Sequence, residues 1–287
     1  MPLTKKQKTT ALVVYILGLL VFFAVVLFPE KPVRDFTENS LARFSPKVTV
    51  KVGQAGPAFP FSVKLRDFLV YYDHQPLAAA GYVKLTPTIS TLLGLGTAGS
   101  FKIGLFGGGL NGSSRLEDSG AYRTEARLAD LRLDEMAFVE SFFRHQLYGR
   151  INGRVVTRTG KEQMEATAEL ELSDGRISFA APVFGIEETR FDTVSAVIEV
   201  EGNKVRLSQC DISGPDMSGR LSGNFVINTP YERSRLNLKG RVKPHASLVS
   251  RLRKQLPVDM LIRKNQDKQG LPVRIKGTFE NPELSLQ

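Results

Sequence analysis

The chain has 287 residues, of which 42% are hydrophobic, so it can bury a core and is not a disordered tail. A single cysteine, Cys210, excludes an intramolecular disulfide framework. The formal net charge is +10, and Arg233 to Lys276 carries +11, from 13 Lys or Arg against two Asp. We expect this basic region to meet anionic lipid head groups or acidic proteins, or to be a solvated surface without a dedicated partner.

The first predicted element is a membrane anchor. Residues 1–10 form a short basic tail, and residues 11–28 contain no charged side chain. A helix of 18 residues spans about 27 Å, close to the hydrocarbon thickness of a bilayer. The segment contains 14 Leu, Ile, Val or Phe residues, which together favour insertion by roughly 4 to 8 kcal/mol.

Two alternatives to the anchor fit the sequence less well. A cleaved signal peptide would have a shorter apolar core ending at small residues, whereas this one leads into Phe28, Pro29 and Glu30. A buried core helix would show a polar face. The basic tail predicts a cytoplasmic N-terminus for a single-pass protein, with nearly all of its mass across the membrane. Nucleic acid is therefore not an expected partner.

Residues 29–46 are predicted to be a linker with a short helix, in which Phe36, Leu41 and Phe44 recur at roughly helical offsets. From residue 47 to residue 287 the period changes to two, which is typical of half-buried strands. Phe61, Val63 and Leu65 are one predicted buried set. The predicted apolar inner face includes Val48, Val50, Phe101, Ile103, Leu170, Leu172, Phe225 and Ile227.

Turns and glycines suggest how these strands connect. Asp174-Gly175 and Gly202-Asn203 are predicted turns of a long antiparallel meander. Glycines inside strands suggest bulges or bends in a curved sheet; they are Gly219, Gly223, Gly240 and Gly277. An apolar-x-Gly-x-apolar core recurs in several strands, which indicates a degenerate repeat.

Helical patterns are few and short. They cover Thr88 to Leu95, Asp134 to Tyr148 and Ser247 to Leu256. In the second, Asp134 is a candidate N-cap, Phe138, Phe142 and Leu147 share a face, and Gly149 is the stop signal. The predicted fold is therefore mainly β, a single N-terminal transmembrane helix followed by an elongated, curved antiparallel sheet with a few short helices.

The sequence contains no pattern that predicts catalysis, a metal site or a cofactor. His74, His145 and His245 are far apart, and Cys210 has no adjoining basic residue, so we expect it to be a buried apolar residue. The glycine-rich stretch from Gly104 to Ser114 lacks the lysine of a phosphate-binding loop and is predicted to be a strand turn. The neighbouring carboxylates Glu169, Glu171, Glu187 and Glu188 suit solvated surfaces. We predict a protein that acts by binding, with no catalytic, metal or cofactor residues.

The order of segments resembles one bacterial family. The basic tail and anchor are followed by FPFSVKLRDFLVYYDHQPLAAAGYVKLTPTISTLLGLG, GGGLNGS, YGRINGRV and the closing LPVRIKGTFENPELSL. Together they resemble the type II secretion system protein N family, GspN, over essentially the whole chain. The resemblance implies a non-catalytic accessory component of the secretion system, anchored in the inner membrane with its bulk in the periplasm. Its partners would be other secretion-system proteins.

The strand units also look like those of AsmA-like proteins. The similarity lies in the G-x-L-x-G of Gly219 to Gly223 and in the terminal G-T-F-E-N-P. AsmA-like proteins have elongated grooves lined by apolar side chains and are associated with lipid transport, which implies that phospholipid acyl chains are possible ligands. Neither resemblance carries a functional residue over to this chain, and the sequence leaves open whether the apolar face is a groove or a closed core.

Overall fold

The structure is a computed structural model in which two compact units, Met1–Pro87 and Thr88–Gln287, are built mainly from antiparallel strands. It describes residues 12, 15–16, 18–19, 22–23, 26–42, 48–59, 61–72, 75–136, 139, 145–160, 164–183, 186–228, 233–252, 270–278 and 282–286. The predicted mainly β fold with few short helices is confirmed.

Eight of the 18 residues of the predicted anchor lie outside the described residues. Those described between residues 12 and 26 are helical, and their side chains are exposed, as in Tyr15 (64%), Phe22 (58%) and Val26 (61%). Within the described part of the chain, we find no helix whose length and hydropathy suffice to span a bilayer.

The first unit is a helix followed by a three-stranded antiparallel sheet with β2 in the middle. The elements are α1 (Glu30–Ala42), β1 (Val48–Ala58), β2 (Ser62–Tyr72) and β3 (Gln75–Pro87). Val50 and Val52 are buried, which confirms the alternation predicted in β1, and Leu65 has no exposed surface. The prediction for Phe61 is wrong, because Phe61 lies in the turn before β2 with φ of 47° and is 78% exposed.

Helix α1 confirms the short helix predicted within residues 29–46, but polar side chains attach it to β1. Glu38 Oε1 accepts a hydrogen bond from the backbone N–H of Val52 at 2.8 Å, and Glu30 Oε1 accepts one from Ala55 at 3.3 Å. Phe36, one of the three residues predicted at helical offsets, is 73% exposed, and Phe44 lies outside the described residues. The helix therefore belongs to the first unit and supplies acceptors for β1.

We expect Glu38→Ala to lower the free energy of unfolding by about 0.5–1.5 kcal/mol, because the Val52 N–H then loses its acceptor. Glu38→Gln keeps an amide oxygen at this position and should retain most of the stability. Urea denaturation of the two full-length variants measures the difference. Equal losses in both would show that the hydrogen bond contributes nothing.

The second unit is an antiparallel meander in which each strand pairs with the next along the chain. Its strands are β4 (Ala98–Leu105), β5 (Gly108–Leu116), β6 (Tyr122–Arg132), β7 (Gln146–Thr159), β8 (Met164–Val183), β9 (Ile186–Glu201), β10 (Lys204–Ser213), β11 (Met217–Val226), β12 (Arg235–Pro244), β13 (Leu271–Thr278) and β14 (Pro282–Leu286). Its helices are α2 (Ile89–Leu92), a 3₁₀ turn (Leu133–Glu135) and α3 (Ala246–Leu252).

The predicted turns have different outcomes. Gly202-Asn203 closes the β9–β10 hairpin as predicted. The glycine-rich stretch is a hairpin whose turn, Phe106-Gly107, has φ of 49° and 68°, the signs of a type I′ turn. The prediction of a turn at Asp174-Gly175 is wrong, because β8 continues through these residues. They form a bulge in the pairing of β8 with β7. Asp174 adopts φ of 53°, which aspartate tolerates better than most residues.

Two predicted helices are confirmed in part. The pattern from Thr88 to Leu95 forms the single turn α2, and the pattern from Ser247 forms α3 as far as Leu252. The helix predicted to end at Tyr148 is wrong at that end, because Gln146–Thr159 is β7. Asp134 lies in the 3₁₀ turn rather than at an N-cap. Residues 137–138, 140–144 and 253–269 lie outside the described residues.

Candidate functional site

The pairing register of the second unit aligns apolar residues into rows that cross the sheet on one face. Residues directly opposite on paired strands share a face, so a row can be followed from strand to strand. The first row, from β4 to β14, is Phe101, Gly112, Ala126, Val155, Ala168, Ile198, Leu207, Gly223, Leu238, Ile275 and Leu284. The second is Ile103, Leu110, Leu128, Gly153, Leu170, Ala196, Cys210, Leu221, Gly240, Val273 and Leu286.

Two more rows flank these on the same face. One, from β6 to β13, is Leu131, Ile151, Leu172, Val194, Ile212, Gly219, Val242 and Leu271. The other, from β4 to β14, is Gly99, Ser114, Thr124, Thr157, Ala166, Val200, Val205, Phe225, Leu236, Gly277 and Pro282. We call these four rows the apolar face. None of its members is charged.

The side chains of the apolar face are mostly half-buried. Leu131, Leu207 and Leu236 are buried, whereas Ile198, Leu238 and most of the other large side chains described in the rows are intermediate. A closed core would bury them, and a solvated face would expose them. The face is therefore shielded in part and retains accessible apolar surface.

Bulges keep the face apolar where the sequence departs from strict alternation. Leu128 and Leu131 are three residues apart, as are Leu207 and Cys210, and the pairing register shifts within each interval. Each shift absorbs one residue, so both members of each pair remain on the apolar face. Sequence alternation alone does not reveal this.

The strand glycines make room for large side chains on neighbouring strands. A Cβ on Gly153 would lie 2.9 Å from Leu170 Cδ2, one on Gly223 2.9 Å from Leu238 Cδ2, and one on Gly240 2.7 Å from Leu221 Cδ2. The pairing among β11, β12 and β13 is regular through their glycines, so no bulge lies there in these pairs. A register shift of β10, between Leu207 and Cys210, begins opposite Gly223. The alternative prediction of bends at these glycines stays a prediction. The recurring apolar-x-Gly-x-apolar core thus places a glycine beneath a leucine of a neighbouring strand.

One end of the apolar face is covered by a small core. Leu131, Met136 and Val139 are buried together, and Phe106 and Leu147 pack against them. Met136 and Val139 belong to the connection between β6 and β7, so this connection covers the end of the face near Leu131. Leu147 was predicted on a helical face and instead reaches this core from β7.

The opposite face of the second unit is polar and becomes strongly basic at β11–β13. Lys239 pairs directly with Arg274, and Arg220 pairs directly with Arg241. Like charges directly opposite each other destabilise a sheet. The Lys and Arg side chains of the predicted basic region that belong to β12 and β13 therefore lie on the face opposite the apolar rows.

Ion pairs on the polar face, including one made by Arg220, satisfy individual carboxylates. Glu125 accepts from Arg154 at 2.9 Å and from Arg123 at 3.2 Å, and these hydrogen bonds lower the pKa of Glu125. Hydrogen bonds from Arg220 and then Gln209 lower the pKa of Asp211. These groups are charged at neutral pH and paired with cations, as in structural surface ion pairs.

The residues considered for chemistry in the sequence are dispersed. Cys210 is half-buried within the apolar face. Burial raises the pKa of its thiol, and the negative charge of Asp211 raises the pKa further. His145 packs edge-on against Phe179 at 5.4 Å, and His245 Nε2 lies 3.1 Å from Ser218 Oγ. Glu188 pairs with Arg190 at 2.7 Å, and His74 lies outside the described residues. Among the residues that the structure describes, no group of three or more acidic, His or Cys side chains could hold a metal ion.

Most of the inner face predicted from the sequence is placed correctly. Phe101, Ile103, Leu170, Leu172 and Phe225 all belong to the apolar face. The prediction that Ile227 belongs to the inner face is wrong, because Ile227 follows the end of β11 and is 36% exposed. Val48 and Val50 belong to the sheet of the first unit.

Comparison with protein-family models, curated proteins and solved structures finds no match to this chain. The resemblances to GspN and to AsmA-like proteins therefore remain expectations from the sequence. The site itself carries the functional argument.

Proposed function

We propose that this protein is a non-catalytic, membrane-anchored component of the bacterial cell envelope that binds phospholipid acyl chains along its apolar face. The observation that supports this is the row structure of β4–β14, in which up to eleven consecutive strands contribute no charged side chain to one face. An acyl chain gains about 0.8 kcal/mol for each methylene removed from water, so a long face suits a long chain.

The partial burial of the face favours an open groove over a filled core. Half-buried leucine, isoleucine and valine side chains retain apolar surface that a ligand can cover. The proposal needs the finer form of the predicted fold, an elongated sheet that curves around this face as in AsmA-like proteins. It also needs the single-pass anchor at residues 11–28, with the bulk of the chain in the periplasm.

A matched pair of substitutions on β9 tests the proposal. Ile198 lies in the first apolar row between Ala168 and Leu207, whereas its neighbour Val197 lies on the polar face opposite Glu169 and Gln209. Ile198→Glu places a carboxylate where the acyl chain would lie, which is unfavourable without a partner. Val197→Glu adds the same charge to the other face.

We expect full-length protein purified from bacterial membranes to carry phospholipid detectable by native mass spectrometry. Ile198→Glu should lose most of this phospholipid, and Val197→Glu should retain it, with circular dichroism confirming that both variants are folded. A folded wild-type protein without phospholipid, or equal retention in both variants, would refute lipid binding by this face.

We keep an accessory role in type II secretion as the second candidate, and one observation favours it. The basic cross-strand pair Lys239–Arg274 concentrates positive charge that would suit an acidic partner protein, whereas Arg220 of the neighbouring Arg220–Arg241 pair is already ion-paired with Asp211. Full-length protein should then co-purify with secretion-system proteins from solubilised membranes, and Lys239→Glu with Arg274→Glu should abolish this. Unchanged co-purification would exclude the basic surface as the contact.

A further inference from the structure

The exposed large apolar side chains of the second unit all lie at one end of its sheet, among the residues described there. They are Ile89, Leu92, Leu93, Leu95, Leu116, Tyr122, Met164, Val226 and Ile227. Because consecutive strands are antiparallel, the start of β4, the end of β5, the start of β6, the start of β8 and the end of β11 meet at the same end. We call this the open end.

The segment around α2 forms an apolar tip at the open end. Ile89 is 75% exposed, Leu92 53%, Leu93 67% and Leu95 77%. No charged residue occurs between Lys84 and Lys102. The tip therefore presents four large apolar side chains without a charge nearby in the sequence.

Several polar groups of the tip are hydrogen-bonded within the protein. The backbone N–H groups of Leu92, Leu93 and Leu95 donate to the carbonyls of Thr88, Ile89 and Ser90 at 2.8–3.1 Å. Thr91 Oγ1 donates to the carbonyl of Ala98 at 2.6 Å and accepts from its N–H at 2.8 Å. Backbone groups that are already paired do not oppose transfer into an apolar environment.

The apolar face continues to the open end. Leu116 pairs with Tyr122, Tyr122 with Thr159, and Thr159 with Met164, which forms the next row beyond Thr157 and Ala166. Leu116 is 41% exposed, Tyr122 46% and Met164 47%, so the face becomes more accessible towards this end. At the other end, by contrast, Leu131, Met136 and Val139 are buried together.

Basic side chains stand beside this row on the opposite face. Arg115, Arg158 and Lys204 are exposed and lie within two residues of a loop or turn. Arg158 Nε donates to Glu117 Oε2 at 3.0 Å, and Glu165 and Glu201 lie in the same row. The row is still net basic, because Arg123 and Arg235 also belong to it. In a bilayer, the phosphate groups lie outside the hydrocarbon. The apolar side chains of the tip would therefore meet the hydrocarbon, and the basic side chains next to them would meet the phosphate groups.

We propose that the open end inserts its apolar side chains into the interface of a phospholipid bilayer, which places the end of the apolar face at the source of acyl chains. The further idea that acyl chains pass from the bilayer onto the apolar face at the open end rests on the proposed function. Insertion of the tip does not, and it can be tested alone.

The experiment places an environment-sensitive fluorophore at the tip of the full-length protein. Leu93→Cys is labelled in a Cys210→Ala background, and Ser250→Cys, an exposed position on α3 at the other end of the sheet, is the matched control. Both proteins are mixed with phosphatidylethanolamine–phosphatidylglycerol vesicles, with or without spin-labelled phospholipid as a quencher. We expect a blue shift and loss of emission at position 93 and neither change at position 250.

The proposal is overturned if the label at position 93 keeps its aqueous emission, or shifts without being quenched, as contact with protein would cause. Equal quenching at both positions overturns it as well. Phospholipid extracted from the same preparation separates this result from the proposed function. Retained phospholipid with an unquenched tip label would leave lipid binding intact and remove only the membrane contact.

Discussion

Leu65→Ala should lower the free energy of unfolding by about 2–5 kcal/mol, the largest loss that we expect from a single substitution in this protein. Leu65 lies in β2, the central strand of the first unit, and none of its surface is exposed. Its direct cross-strand partners, Ala55 and Val83, are themselves buried at 6% exposure. Both partners are smaller than leucine, so truncation leaves a cavity that they cannot fill.

Urea denaturation of the full-length protein, followed by circular dichroism, measures this loss. Leu85→Ala is the matched control, because Leu85 is in β3 of the same unit and is 42% exposed. We expect the control to cost about 1 kcal/mol or less, since less of its apolar surface leaves water on folding. Similar losses for the two variants would contradict the described core.

The second large effect is expected for Gly240→Ala in β12. A Cβ at this position would overlap the carbonyl oxygen of Arg220 and lie 2.7 Å from Leu221 Cδ2, on the directly paired strand β11. Relief requires the two strands to move apart, because the carbonyl oxygen belongs to the backbone. Overpacking of this kind costs about 1–3 kcal/mol.

Gly109→Ala in β5 is the control for this substitution. A Cβ on Gly109 would lie 3.6 Å from the carbonyl oxygen of Ile103, an ordinary contact. Alanine there should be neutral or stabilise the protein by up to about 1 kcal/mol, because it restricts the unfolded chain. Urea denaturation of both variants gives the comparison. If Gly240→Ala is as stable as the control, leucine packing over strand glycines is not a constraint in this sheet.

The sequence was sufficient to predict several of the strands and much of one side of the sheet. Alternation placed Phe101, Ile103, Leu170 and Leu172 on one face, because each strand records locally which of its sides is apolar. The hairpin turn at Phe106-Gly107 followed from its run of glycines. These features depend on neighbours along the chain and can be predicted from them.

The partners across the sheet depend on residues far apart in the chain, and alternation does not specify them. Pairing of Ile198 with Ala168 and Leu207 required the register, including the shift next to Leu207. The same information decides whether Asp174-Gly175 is a turn or a bulge, because both use a residue with positive φ. The helical spacing up to Tyr148 misled because strand pairing with β8 overrode it.

The sequence predicted the recurring pattern of the candidate site, but not which side chains pack together or remain exposed on the folded surface. The apolar-x-Gly-x-apolar core signalled a repeat, but its role as space for Leu170, Leu221 and Leu238 is visible only in the folded sheet. Exposure at the open end likewise depends on which hairpins meet there. Leu93 and Leu65 have the same hydrophobicity in the sequence, although Leu93 is 67% exposed and Leu65 is fully buried.

Site-specific photo-crosslinking in living bacteria tests the central claim most directly. A photoreactive amino acid replaces Leu238, in the first row of the apolar face, or its neighbour Lys239 on the polar face. We expect a crosslink to phospholipid at position 238 and none at position 239. Absence of lipid at position 238, or the same lipid yield at both positions, would contradict it.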